Sequence, residues 1–130
     1  MEPRILLVDD DEEICDEIGG LLRDSGFKVT VAFDGVTALS LIDRKRFDLL
    51  ILDLKVPGIP GIEILRHVKG MRLALKVLVV TGRPVKDESD QDADMIADDP
   101  EQAELFETAD GFVGKPFDVE ILLARIKSLL

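Results

Sequence analysis

The sequence predicts a doubly wound α/β domain, and three observations carry that expectation. Five short apolar runs recur along the 130 residues, separated by segments with helical spacing. Most of the runs are continuous, the pattern of strands covered on both faces of a parallel sheet. Each of the central runs stops abruptly at a polar residue. One core serves roughly 100–200 residues, so residues 1–130 are expected to form a single domain.

Ile5-Leu6-Leu7-Val8 is the first strand, ended by Asp9-Asp10-Asp11. From Glu12 to Ser25, Ile14, Ile18, Leu21 and Leu22 share one helical face, acids fill the first turn, and Gly26 follows as a left-handed cap. Phe27 to Ala32 alternates and is rich in β-branched residues, which predicts an edge strand. A second helix spans Asp34 to Arg46, with Ala38, Leu39 and Ile42 inward. Leu49-Leu50-Ile51-Leu52 is the third strand, ended by Asp53 and the turn-rich stretch to Gly61. Ile62, Leu65, Val68 and Arg72 mark a third helix, and Val77 to Val80 a fourth strand ending in Thr81-Gly82. Gly111 to Gly114 is the fifth and shortest strand, stopped by Lys115-Pro116. Asp118 caps a last helix that buries Val119, Leu122, Leu123, Ile126 and Leu129.

Twenty-seven acids against 16 bases leave a net charge of −11, which disfavours direct contact with nucleic acid or anionic membranes. The acidity is concentrated: residues 86–110 hold eleven acids and one base, and the rest of the chain is nearly neutral. The lone Cys15 cannot form an intramolecular disulfide, and no signal peptide or membrane span is visible. A cytoplasmic location is expected.

In doubly wound sheets a ligand binds beyond the carboxyl ends of the strands. The polar residues there are Asp9, Asp10, Asp53, Thr81 and Lys115. Carboxylates facing one another at neighbouring strand ends repel, and a hard divalent cation is the simplest compensation. Oxygen donors without His or Cys favour Mg²⁺ over zinc, and its spare coordination positions suit a phosphoryl oxygen. Asp53 is then placed as a carboxylate nucleophile, Lys115 as the neutralising ammonium and Thr81 as a hydroxyl donor. A cis Lys115-Pro116 bond would turn the chain sharply and aim the lysine at the site.

These residues carry a resemblance. Leu6 to Asp11, Asp53 to Gly61, Thr81-Gly82 and Gly111 to Phe117 form an ordered set over nearly the whole chain that resembles the receiver domain of bacterial two-component response regulators. The resemblance implies a flavodoxin-like sheet of order 2-1-3-4-5. It implies that Asp53 accepts a phosphoryl group from a sensor histidine kinase or histidine phosphotransfer protein. Mg²⁺ would be held by Asp10, Asp53 and the backbone carbonyl of Lys55, with Asp9 acting through water. Thr81 would swing toward the phosphoryl oxygen and Phe112 would turn inward behind it. That coupling would move the face made by the fourth helix, the fifth strand and the fifth helix, toward an output domain or protein, or a homodimer.

The chain departs from the family pattern between Thr81 and Lys115, where it is longer than usual. Asp99-Pro100 with Gln102 predicts a helix over 100–108, preceded by a long loop. Val56 stands where methionine is common, Gly82 where alanine is common, and Lys55 is expected to point over the phosphoryl group.

Plainer readings stand beside these. Asp11 and Glu12 need only pair with a helix dipole, Thr81 alone is an ordinary strand end, and Phe112 alone is a core residue. His67 reads as a solvated surface histidine, Cys15 as a passive, partly buried thiol, and the acidic window as a solvated loop or a dock for a basic partner. Two functional alternatives compete: a receiver-like interaction module independent of phosphorylation, and an aspartate-nucleophile phosphatase of the haloacid-dehalogenase type. The latter would want a second acid two residues after Asp53, where Lys55 stands.

Overall fold

A strand buried on both faces offers its odd residues to one layer of helices and its even residues to another. The computed structural model describes residues 2–71, 74–81, 107–114 and 118–130, and shows that partition. The strands are β1 (Arg4–Val8), β2 (Lys28–Ala32), β3 (Leu49–Asp53), β4 (Lys76–Thr81) and β5 (Gly111–Gly114). The helices are α1 (Glu12–Asp24), α2 (Gly35–Arg44), α3 (Gly61–Gly70) and, fourth among those described, α4 (Val119–Leu129). All strand pairs are parallel, in the expected order β2-β1-β3-β4-β5.

Leu6, Val8, Leu50, Leu52, Val77 and Val79 form one core with Ala38 and Ile42 of α2 and Ile64, Leu65 and Val68 of α3. Ile5, Leu7, Leu49, Ile51, Leu78, Val80 and Val113 form the other with Cys15, Ile18 and Leu22 of α1 and Leu122 and Ile126 of α4. Each fully buried Leu or Ile contributes about 1.5–3 kcal/mol. These two cores are why β1 carries no polar residue after its first, Arg4, and β3 none before Asp53. As expected, β2 is an edge, with Lys28 exposed and Val29 to Val31 only half-buried.

Aspartates cap three of the described helices, at Asp118 as expected. Asp11 accepts the N–H groups of Glu13 and Ile14, Asp34 that of Thr37, and Asp118 that of Glu120. The backbone N–H of Thr37 holds the Asp34 carboxyl below the usual range, helped by the Thr37 hydroxyl. Gly26 adopts a φ of 96°, ending α1 as its composition predicts.

Several expectations need correction. Cys15 is fully buried rather than partly, and its thiol donates to the Asp9 carbonyl at 3.4 Å. His67 is not a solvated bystander: its Nε2 lies 2.9 Å from Asp43 Oδ1, joining α3 to α2. Of the five positions expected inward on α4, Leu122 and Ile126 are buried, while Val119, Leu123 and Leu129 are half-buried. The third helix ends at Gly70, and Arg72 lies outside the described residues. Glu107 and Thr108 are helical, where the helix over 100–108 was expected to end. The rest of that helix, the loop before it, Gly82 and the Lys115-Pro116 bond also lie outside the described residues.

Asp110, at the end of the acidic window, ties β5 into the sheet. Its Oδ2 accepts the Val77 N–H at 2.8 Å and the Lys69 ammonium at 2.9 Å, and its own N–H donates to the Val77 carbonyl. Burial pushes this carboxyl up, but the Lys69 and Val77 hydrogen bonds and the charges of Lys69 and Lys76 outweigh it and hold it below the usual range. A depressed folded-state value means stability present above the unfolded-state pKa and lost as pH falls through the folded one. Asp110→Asn should therefore cost about 1 kcal/mol near neutrality and flatten the acid limb of a urea-stability profile; an unchanged limb would contradict this role. Glycine spacing gives a second test. A Cβ at Gly35 would fall 2.3 Å from the Ile59 carbonyl oxygen, whereas one at Gly20 meets nothing within 4 Å. Gly35→Ala should destabilise by about 1–3 kcal/mol, and Gly20→Ala, inside α1, should stabilise by about 0.5–1 kcal/mol, both read by urea denaturation.

Candidate functional site

The register of the two central strands builds the site. The β1–β3 pairing runs through Val8↔Leu52, so the next residue along each strand, Asp9 and Asp53, emerges at the same edge of the sheet. Asp53 closes β3 opposite Val80, and the Asp9 N–H extends the ladder to the Ala32 carbonyl at 3.1 Å. Both carboxylates are nearly out of water, at 3% and 5% exposure, while Asp10 is exposed. One oxygen from each of the three lies within 4.8 Å of the others.

Two short turns fix the buried pair. Asp9 Oδ1 accepts the Asp11 N–H at 3.0 Å, and Asp53 Oδ1 accepts the Lys55 N–H at 3.1 Å. Each carboxylate thus bonds the backbone two residues on, the local geometry at which Asp turns a chain. The first turn leads into the N-cap Asp11, which serves α1 and does not join the cluster. The second leads into the 54–60 loop, where Val56 is buried in the core and Lys55 is exposed. That loop is held down by close contacts only glycine permits. The Gly35 N–H donates to the Pro57 carbonyl at 2.9 Å, Gly58 has a φ of 85°, and a Cβ at Gly61 would fall 2.8 Å from Leu54 Cα.

The remaining members of the expected set fall partly within view. The Thr81 backbone closes β4 opposite Gly114, the last residue of β5; Lys115 follows Gly114 and lies outside the described residues. Phe112 is half-buried on β5 and packs against the core shared with α2 and α3. Gly35, which seats the loop after Asp53, was not legible as a site-supporting residue. In sequence it is one glycine after an ordinary N-cap, and only the approach of the 57–59 backbone reveals its role. Among the described residues, Asp9, Asp10 and Asp53 are the one group of three such side chains able to share an ion. Its donors are all carboxylate oxygens, which suits a hard divalent cation and not zinc.

A parallel sheet of order 2-1-3-4-5 with buried acids at the ends of its first and third strands defines a doubly wound domain with an acidic pocket at the carboxyl edge. The family model for the response regulator receiver domain matches residues 5–127, and the chain belongs to that family. It is 37% identical over 130 residues to response regulator MprA of Mycobacterium tuberculosis, covering all of this chain and 51% of that protein. It is 34% identical over 126 residues to the sensory transduction protein RegX3 of the same species, covering 97% of this chain and 50% of that one. The chain therefore spans about half the length of these curated relatives. Among solved structures, response regulator TrrA of Thermotoga maritima, in complex with Mg²⁺-BeF, aligns over 100% of both chains with a TM-score of 0.80 and 28% identity. Among the described residues, no helix is long and apolar enough to cross a membrane.

A cation that binds the folded cluster must stabilise the fold. At about one hundred times its dissociation constant, Mg²⁺ should add about 2.7 kcal/mol. Thermal melts followed by circular dichroism should rise and saturate with Mg²⁺ for the wild type and rise far less for Asp10→Asn. Equal rises in both would remove Asp10 from the site.

Proposed function

We propose that Asp53 is the phosphoacceptor of this receiver domain, taking its phosphoryl group from a phosphohistidine on a sensor histidine kinase or histidine phosphotransfer protein. The observation that carries this reading is a nearly buried carboxylate at the end of a central strand, within 4.8 Å of two other acids. An Asp53 carboxylate oxygen attacks phosphorus as the P–N bond breaks, the imidazole leaves with a proton, and an acyl phosphate results. Asp10, Asp53 and the Lys55 carbonyl would hold Mg²⁺ directly, with Asp9 acting through water. The ion supplies charge neutralisation on the transferring oxygens. Lys115 supplies a second cation, and the turn at Asp53 Oδ1 keeps the nucleophile in one rotamer.

The domain signals rather than turning over substrate; its only catalysis is its own phosphoryl uptake and hydrolysis. The added charge is read by Thr81 and then Phe112, whose rearrangement shifts the face that β5 and α4 form with the helix expected over 100–108. Residues 1–130 form one such domain, acting in the cytoplasm on an output domain or protein. The phosphorylation-independent module is disfavoured because the acid cluster is fully assembled.

Intact mass after incubation with acetyl phosphate and Mg²⁺ tests the reading. One added phosphoryl group is expected for the wild type, none without Mg²⁺ and none for Asp53→Asn. An adduct that persists in Asp53→Asn, or none in the wild type, overturns it. Thr81→Ala should still take up the group while losing the downstream response.

A further inference from the structure

The amino-terminal pole of the sheet, opposite the acid cluster, holds a cleft of about 810 Å³. Its floor is apolar: Ile42, Phe47 and Leu75 line it, each buried. Around that floor stand Arg4 at the start of β1, Lys45 and Arg46 after α2, and Lys76 at the start of β4, all exposed. Among the described residues Glu2 and Asp48 are the acidic side chains lining the cleft, and Asp48 Oδ2 already accepts the Arg4 backbone N–H at 2.8 Å. Among the described residues none of the four cations is in a salt bridge. On a chain of net charge −11, four such cations around one apolar floor are a local reversal of sign.

We propose that this cleft is a docking surface for an acidic polypeptide segment whose carboxylates are interspersed with apolar side chains. Carboxylates answer the rim and apolar side chains the floor, whereas a nucleic-acid duplex has charge for the rim but no apolar side chains for the floor. This chain itself contains a segment of that chemistry. Residues 86–110 carry eleven acids and one base, with Met95, Ile96, Leu105 and Phe106 among them. The body outside that segment is close to neutral, so beyond a Debye length of about 8 Å the cleft is not overwhelmed by distant acids. The surface lies at the far end of the strands from Asp53 and does not depend on the phosphoacceptor reading.

The test uses a fluorescein-labelled peptide of sequence 86–110, titrated with the intact chain and followed by anisotropy. Saturable binding that weakens with added salt is expected. The double variant K45E/R46E, altered only at exposed positions, should fold, as its thermal melt will show, and should bind at least about tenfold more weakly. A peptide with Met95, Ile96, Leu105 and Phe106 replaced by serine should also bind more weakly. Three results would overturn the proposal: no saturable binding by the wild type, equal binding by K45E/R46E, or equal binding of the serine peptide.

Discussion

The structure depends on holding two carboxylates, Asp9 and Asp53, almost out of water on adjacent central strands. Burying ionised carboxylates is costly unless hydrogen bonds or a cation compensate. Here the sheet imposes the placement. Because β1 and β3 are covered by helices on both faces and pair in register through Val8 and Leu52, the first polar residue of each emerges at one edge. The apolar runs upstream are thus part of the site, since a one-residue slip of either strand would exchange its two faces and carry the carboxylate with it.

The loops complete what the strands begin. The backbone N–H groups of Asp11 and Lys55 take one oxygen from each buried acid, which fixes the side chains and turns both chains outward into α1 and the 54–60 loop. That loop then leans on the start of α2 through Gly35 and Pro57. The acid edge is accordingly tied to three elements, with Cys15 adding a buried contact to the Asp9 carbonyl from α1. The two buried acids are thus held from the sheet, from their own turns and from α1.

Much of this was legible in the sequence because burial on two faces leaves a continuous apolar run, and an acid ending such a run has few other reasons to be there. The five strands and the meeting of Asp9, Asp10 and Asp53 follow from that logic, and the cap at Asp118 was legible from its place before an apolar helical run. What stayed hidden depends on contacts far apart in the chain. Asp110 looks like one more acid in a charged window, yet its carboxylate bonds a backbone N–H 33 residues away. His67 looks solvated from its place on α3, and only the packing of α2 beside it supplies Asp43. Gly35 carries no local signal because the atoms it makes room for belong to Pro57 and Ile59.

Asp110 also shows why β5, the shortest strand, can stand where it does. Four residues with a glycine at each end bury little surface, and only Val113 among them is buried. Pairing with β4 alone would leave such a strand prone to fray. The Asp110 carboxylate adds a charge-assisted bond to Lys69 and a bond to the first N–H of the β4 core, anchoring β5 at its amino end while its carboxyl end runs on toward Lys115. β5 is therefore pinned at its amino end and lightly packed along its length, with Phe112 half-buried upon it. The clamp thus sits at the amino ends of β4 and β5, across the sheet from the acid cluster at the carboxyl ends of β1 and β3.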